Sequence, residues 1–253
     1  SDYEKEKYLK GILNAEDIWC QGFSEPNHGS DLGSIQTRAE RDGDDYLING
    51  SKIWTTMGNY AKYMILLART DPQAERRYNG LSFFLAPMQV DGISTQPIQK
   101  ITGEYGFTET FFTDARIPAN CIMGEEGQGW RIAMQTLQYE RGAEAGAAGG
   151  ISILSIVMDD LLRMAAEIER EGEPLLKDPV TRDNLIKFMI EEKALQLAEK
   201  RIEIPALCRD YPNSIALSGK LRSTEFFRRM RQYALSLQGA QGSLYVGDQD
   251  TIG

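Results

Sequence analysis

The sequence predicts a multidomain α+β protein in which an antiparallel β-barrel is followed by an α-helical bundle. Two observations support this prediction. Residues 20–120 alternate short β-rich runs with turn signals, and three long segments of helical character follow residue 129. With 253 residues, the chain is long enough for two domains and a sizeable core.

A short helix is predicted first, over residues 3–19, because Tyr8, Ile12 and Leu13 lie on one face. Seven strands are predicted next, at residues 35–41, 46–48, 52–56, 63–68, 81–85, 94–98 and 110–117. Turn signals separate these runs: Asp42-Gly43, Asn49-Gly50, Asn79-Gly80 and Asp91-Gly92. Asn-Gly is the strongest short hairpin signal, since both central residues of a type I′ turn need positive φ. We therefore expect a hairpin turn at Asn49-Gly50.

The helical segments are predicted at residues 130–169, 183–208 and 218–237. Pro179 and Pro212 stand in the gaps between them, and Pro205 is expected to kink or end the second helix. The chain therefore changes from strands to helices near residue 128.

The composition excludes several classes of function. The chain carries 37 acidic and 28 basic residues, a net charge of −9, which does not attract nucleic acid or anionic lipid by bulk charge. No apolar run is long enough to span a bilayer, and the first residues show no signal-peptide pattern. Three widely spaced cysteines suit a reducing compartment.

The single histidine, His28, excludes a His-rich metal site, so no metal is predicted. A Ser-His-Asp triad would have to use this one residue. The Walker A pattern is absent, and the glycines of residues 124–129 do not form a GxGxxG fingerprint after a strand. Neither a P-loop nor a dinucleotide-binding Rossmann fold is therefore expected.

Two polar segments could bind a cofactor. The loop of residues 24–31 offers small residues, hydroxyls and free amides, which can cradle a phosphate or a polar ring edge, although a well-capped turn would look the same. At residues 54–58 a Trp is followed by two Thr residues where a strand ends. Such an aromatic can flank a flat cofactor, or it can belong to the core or an interface.

Glu140 precedes a stretch rich in glycine and alanine, residues 142–150. Glycine inside a helix costs about 1 kcal/mol relative to alanine, so its repetition suggests that a cofactor, substrate chain or second helix approaches closely. Glu140 itself could act as a base, or it could be a helix-surface acid paired with an arginine.

In their order along the chain, several stretches resemble the acyl-CoA dehydrogenase family. They are residues 19–26 with 29–31, 46–56, 116–120, 124–130 and 140–141. The resemblance is closest to the bacterial branch of heteromeric, pimeloyl-CoA-dehydrogenase-like large subunits. It implies an N-terminal helical domain, a middle β-barrel and a C-terminal helical bundle. It also implies that residues 1–19 end the N-terminal helical domain, that 20–128 form the β-barrel and that 129–253 form an incomplete helical bundle. The present chain would then lack pieces at both ends.

The resemblance implies a role for each matching residue. Ser24 would bond the flavin ring edge, Ser30 would lie near the FAD pyrophosphate and the substrate, Trp54 would flank the isoalloxazine, and Thr56 would reach its N5/O4 edge. The remaining implied site residues are Phe23, Gly29 and Thr55 for the cofactor, Gly239 for the FAD of a neighbouring subunit, Arg141 for the substrate, and Glu140 as the α-proton base.

The implied reaction is FAD-dependent α,β-dehydrogenation of an acyl-CoA thioester to the trans-2-enoyl-CoA, in the bacterial cytoplasm. Its implied partners are acyl-CoA, an electron-transfer flavoprotein or similar acceptor, and a second copy or related subunit. An Arg-x-Phe-Gly motif of the family, which reaches a neighbour's FAD, is missing around residues 165–172. This absence leaves room for a non-catalytic partner subunit. A flavin oxidase or monooxygenase on the same fold is a further alternative.

Overall fold

A computed structural model describes residues 2–140, 157–201, 204–207 and 214–244 of the chain. The chain divides into two compact units, Ser1–Leu137 and Gln138–Gly253. The predicted domain divisions after residues 19 and 128 stay predictions.

The first unit is a seven-stranded sheet preceded by one helix, α1 (Asp2–Leu13). The strands are β1 (Trp19–Gly22), β2 (Arg38–Asp42), β3 (Asp45–Thr56), β4 (Tyr63–Arg69), β5 (Leu81–Pro87), β6 (Ile93–Gln99) and β7 (Tyr105–Pro118). The main path through the sheet runs β1-β4-β2-β3-β7-β6, and β5 pairs with β4.

The predicted fold class is confirmed, but the sheet is mixed rather than purely antiparallel. Strands β1 and β4 run parallel over four residue pairs, and β2 meets β4 in parallel at Arg38 and Arg69. The other strand pairs are antiparallel. The predicted helix over residues 3–19 is too long: α1 ends at Leu13, Ala15 has φ 54°, and residues 19–22 form a strand.

The predicted hairpin at Asn49-Gly50 is wrong. Strand β3 continues through both residues, and Gly50 with φ 142° marks a register shift against β7. A Cβ on Gly50 would lie 2.7 Å from Thr37 Cα, so the glycine here permits a close strand approach. The Asp42-Gly43 signal does make a turn, since Asp42 pairs with Asp45 and Gly43 has φ 61°.

Two buried clusters hold the first unit together. One is formed mainly by strand residues and includes Tyr46, Ile48 and Phe84. The other joins Tyr8 of α1 and Phe83 of β5 to the helix α2 (Gly129–Glu140), which contributes Ile132 and Ala133. Burial of these apolar side chains is the main stabilising contribution.

Among its described residues, the second unit contains three further helices, α3 (Met158–Glu167), α4 (Pro179–Lys200) and α5 (Ser214–Leu237), with the short hairpin β8 (Glu169–Arg170) and β9 (Glu173–Pro174). A buried cluster joins the helices through Leu161, Leu185 and Phe226. Helix α4 begins before its predicted start because Asp178 caps it, accepting the Thr181 N–H at 2.8 Å, with Pro179 at the first helical position. Helix α4 ends at Lys200, short of the predicted Cys208.

Candidate functional site

The residues just before Trp54 are bonded to the start of the polar loop at residues 24–31. The N–H of Ile53, beside Trp54, donates to the carbonyl oxygen of Ser24 at 2.9 Å. The preceding residue, Lys52, donates from Nζ to the carbonyl oxygen of Phe23 at 3.0 Å. Residues 23–24 and 52–54 therefore form one local structure, which the sequence shows only as two separate segments.

A β-bulge explains why Ile53 is available for this bond. In the β3–β7 ladder Lys52 pairs with Thr110, whereas Thr55 pairs with Thr108, so β3 carries one extra residue. Trp54 has φ 63°, the left-handed conformation that costs about 1–2 kcal/mol for a residue with a Cβ. Such backbone strain persists only where the surrounding structure imposes it, and it clusters at functional sites.

The bulge also sets which side chains are exposed. The Trp54 side chain is 58% exposed and meets Phe107 edge-on with ring centroids 6.1 Å apart. Thr56 is exposed, while Thr55 is fully buried, and its hydroxyl has no hydrogen-bond partner among the described residues. The indole of Trp54 is thus available at the surface rather than packed in the core.

The loop that follows Phe23 opens to solvent after Glu25. Phe23 is buried against Phe83, Ser24 is half-buried, and Gly29 and Ser30 are exposed. A Cβ placed on Gly29 would meet nothing within 4 Å. This backbone is therefore accessible to a ligand.

Arginines brace the end of this loop. Arg77 Nη1 lies 3.1 Å from Asp31 Oδ1 and donates to Ser34 Oγ at 2.8 Å. Arg69 donates to the carbonyl oxygens of Gly33 and Ile35 at 2.9 and 3.1 Å. The loop carrying Ser30 is thereby tied to the segment between β4 and β5.

A buried ion pair lies beneath the two segments. Lys52 Nζ is 2.9 Å from Glu25 Oε1, and both side chains are almost completely buried. Burial lowers the pKa of Lys52 from 10.5 to about 8, although the Glu25 carboxylate acts in the opposite direction. For Glu25, burial works to raise the pKa, but the Lys52 charge and the backbone hydrogen bonds from Gln36 and Thr37 outweigh it, so the pKa is lowered. Both groups are therefore charged at neutral pH.

Sequence reasoning missed both members of this pair. In the sequence, Glu25 stands out only as part of a loop, and Lys52 only as the start of a strand. One signal is present: Lys52 falls in a strand otherwise rich in apolar and hydroxyl residues. The burial of a lysine depends on a partner from a distant segment, which strand patterning does not reveal.

The other predicted site residues lie in the second unit. Glu140 is the last residue of α2, with an exposed side chain, and Gly239 is exposed with φ 59°. Arg141 and the glycine-rich stretch at 142–150 lie outside the described residues. The structure thus links Phe23 and Ser24 to the Trp54–Thr56 strand end and leaves the roles of Glu140, Arg141 and Gly239 as predictions.

A groove in the second unit involves none of these residues. It lies between α3 and α4, where the apolar lining includes Met158, Leu162, Ile186, Met189 and Ile190. In the part of the chain that is described, no cluster of three His, Cys, Asp or Glu residues could hold a metal ion. No described helix is long and apolar enough to cross a membrane.

The residues around the bulge fit a flavin. Hydroxyl groups at Ser24 and Thr56 suit the polar edge of a flat ring, and the exposed Trp54 indole suits its face. The open backbone at Gly29 and Ser30 suits a phosphate, since free N–H groups bind anions. FAD combines these three features.

Family models match both parts of the chain. The model described as "Acyl-CoA dehydrogenase, middle domain" matches residues 20–115, and "Acyl-CoA dehydrogenase, C-terminal domain" matches residues 127–250. Among curated relatives, acyl-CoA dehydrogenase IpdE1 of Mycobacterium tuberculosis is 38% identical over 179 residues, covering 71% of this chain and 46% of the relative. Its namesake from Mycolicibacterium smegmatis is 32% identical over 252 residues, covering 94% and 60%.

Solved structures agree with these matches. The "Tcur3481-Tcur3483 steroid ACAD" superposes with a TM-score of 0.85 at 30% identity, covering 100% of this chain and 63% of that one. A glutaryl-coenzyme A dehydrogenase in complex with glutaryl-CoA gives a TM-score of 0.82 at 28% identity, covering 96% and 61%. The chain thus spans between about half and two thirds of the length of these relatives.

Proposed function

Because the chain belongs to the acyl-CoA dehydrogenase family, we propose that the full-length protein removes two hydrogens from the α and β carbons of an acyl-CoA thioester to form the trans-2-enoyl-CoA. The observation that supports this most directly is the bond from Ile53 to Ser24, which joins the segments assigned to the flavin by resemblance. FAD, when bound there, would supply the acceptor for the β hydride.

The chain's own residues would bind and orient the cofactor and move one proton. Ser24 and Thr56 would bond the polar edge of the ring, Trp54 would cover its face, and Ser30 would lie near the pyrophosphate. Phe23, Gly29 and Thr55 would shape the same site, and Gly239 would contact the FAD of a neighbouring subunit. Preorganised donors act without reorganisation during the reaction, which makes positioning the main task of these residues.

Glu140 would take the α proton, and Arg141, the next residue in the sequence, would bind the substrate. The α C–H beside a thioester is a weak acid, and a positioned carboxylate typically contributes about 10²–10⁴ in rate. The exposed side chain of Glu140 at the end of α2 is accessible to a substrate, but the described residues do not bury it. The missing Arg-x-Phe-Gly motif around residues 165–172 favours a second candidate function, a non-catalytic partner subunit that binds FAD without abstracting a proton.

We further propose acyl-CoA as substrate, an electron-transfer flavoprotein or similar acceptor as redox partner, a homo- or hetero-oligomer as the working form, and the bacterial cytoplasm as its location. One solved relative is named for two components and is called a steroid enzyme. A steroid-derived acyl-CoA therefore belongs in the substrate panel beside straight-chain thioesters.

An anaerobic titration tests the proposal. The full-length protein, alone and co-expressed with any homologous neighbouring subunit, should carry FAD, and addition of a substrate acyl-CoA should bleach its visible absorbance. Bleaching only in the presence of the partner would favour the non-catalytic role. A fully assembled protein that neither carries nor takes up FAD would remove the basis of the proposal.

A further inference from the structure

Lys52 stands at the centre of the bonds that join the two flavin segments. Its Nζ donates to the Phe23 carbonyl oxygen at 3.0 Å and to Glu25 Oε1 at 2.9 Å, while the neighbouring Ile53 N–H donates to Ser24 at 2.9 Å. Two consecutive residues of β3 thus contact three consecutive residues of the loop. The position of the Ser24 hydroxyl relative to Trp54 depends on these contacts.

Glu25 extends the connection to a third segment. Its carboxylate accepts the backbone N–H of Gln36 at 2.6 Å and that of Thr37 at 2.8 Å, just before β2. Thr37 in turn donates from Oγ1 to the carbonyl oxygen of Ser51 on β3 at 3.2 Å. These hydrogen bonds therefore form a closed ring, which runs from β3 through the loop and the segment before β2 and back to β3. The Lys52 side chain lies inside this ring of hydrogen bonds.

The chemistry of this ring of hydrogen bonds favours a role in orienting the loop rather than in stability alone. Replacing a buried ion pair by well-packed apolar residues of similar volume is often neutral or even stabilising. Its bonds, however, are directional, whereas apolar packing is not. Lys52 is fully buried and touches no solvent, so its charge does not serve solubility.

We propose that Lys52 is a positioning residue for the cofactor, holding the Phe23–Glu25 loop against the bulged end of β3 so that Ser24 and Trp54 present a preformed edge and face to the flavin. The inference rests on the proposed function and adds a residue to it. Lys52 acts through Phe23 and Glu25 and does not itself contact the flavin. Loss of the bonds should leave the fold in place but release the loop.

The test compares Lys52→Met with Ile48→Ala in the full-length protein. Methionine keeps the length of the side chain and removes the charge and the donors. Ile48 is fully buried on the same strand and makes none of the bonds in the ring, so Ile48→Ala controls for lost stability. The readouts are the FAD dissociation constant, the visible circular dichroism of the bound flavin, its midpoint potential and the melting temperature of the apoprotein.

We expect Lys52→Met to weaken FAD binding by about 10-fold or more, since a loop that must be ordered on binding lowers affinity. The flavin dichroism and potential should shift as well, because the Ser24 edge is no longer fixed. In Ile48→Ala the flavin dichroism and the midpoint potential should match those of the unmodified protein, and the FAD affinity should stay within about 3-fold. This should hold even if Ile48→Ala lowers the melting temperature as much as Lys52→Met does. A folded Lys52→Met protein with unchanged affinity, dichroism and potential would overturn the inference.

A second variant covers a failure of Lys52→Met to fold. In Glu25→Gln/Lys52→Met no uncompensated charge remains, and the new amide oxygen can still accept from Gln36 or Thr37. This protein should fold but, like Lys52→Met, bind FAD weakly, because the carbonyl oxygen of Phe23 has lost the hydrogen bond from Lys52. Normal FAD binding in the folded double variant would also overturn the inference. If the unmodified protein binds no FAD, it is the proposed function that fails.

Discussion

The backbone N–H of Ile53 and the carbonyl oxygen of Ser24 lie 2.9 Å apart, so a residue inside a β-bulge is bonded to the loop that follows the first strand. This bond connects the two segments assigned to the flavin. Trp54, with its left-handed backbone, lies in the same bulge, and the ladder to β7 resumes at Thr55.

The backbone of Trp54 can be tested by two substitutions at that position. At φ 63° glycine pays no Cβ penalty, so Trp54→Gly should be more stable than Trp54→Ala by about 1 kcal/mol in urea unfolding. Gln96, exposed on β6, serves as the control, because in an ordinary strand alanine should exceed glycine there. Equal or greater stability of Trp54→Ala would mean that the bulge is absent.

The close packing beside the bulge gives a second prediction. A Cβ on Gly58 would lie 2.2 Å from Thr108 Oγ1, so Gly58→Ala should destabilise the protein by about 1–3 kcal/mol. Thr108→Ala removes the clashing atom, and the double variant should recover part of the loss, with a coupling of at least about 0.5 kcal/mol. Gly29→Ala, where a Cβ meets nothing within 4 Å, should change stability by less than about 0.5 kcal/mol. Strict additivity of the two substitutions would contradict this packing.

Glu140→Gln tests the proposed base. Glutamine keeps the size and hydrogen bonding but removes the basicity, so flavin bleaching in rapid mixing should slow by about 10²–10⁴-fold. FAD content and acyl-CoA binding should be retained. Glu199→Gln, at an exposed acid near the end of α4, should bleach normally. Normal bleaching in FAD-loaded Glu140→Gln would assign the base to another segment or to a partner subunit.

The buried ion pair predicts a dependence of stability on pH. The pKa of Lys52 is about 8 in the folded protein, against an ordinary 10.5. Between these values the unfolded chain binds the proton more tightly than the folded one. Stability therefore rises with pH in this window, by at most about 1.4 kcal/mol per pH unit.

Unfolding of the native protein and of Lys52→Met from about pH 7 to 11 measures this contribution. The native protein should gain free energy of unfolding relative to the variant as the pH rises from about 8 to 10.5. Lys62→Met should show no such gain, because the hydrogen bond to Asp17 raises the pKa of Lys62. The stability that the Lys62–Asp17 pair contributes is lost, not gained, as the pH rises through the raised pKa of Lys62. A flat or falling difference for Lys52→Met would show that the charge is not buried.

The sequence by itself determined the features that depend on neighbouring residues. The change from strands to helices near residue 128 follows from local patterns, and so does the turn at Asp42-Gly43. The ordered motifs also carried the resemblance to the family, because each motif is a short run of chain. Helix bounds were less well predicted. The apolar pattern places the start of α4 at residue 183, but the helix begins at Pro179 because Asp178 caps it.

Only the tertiary structure decided which distant residues meet. Asn49-Gly50 has the local preference for a turn, but β3 runs through it because Gly50 allows the strand to approach Thr37. The parallel pairing of β1 with β4 and the ion pair between Lys52 and Glu25 join segments far apart in the chain. Burial of a charge is favourable only when a partner is present, and the partner is a property of the fold rather than of the strand in which the charge lies.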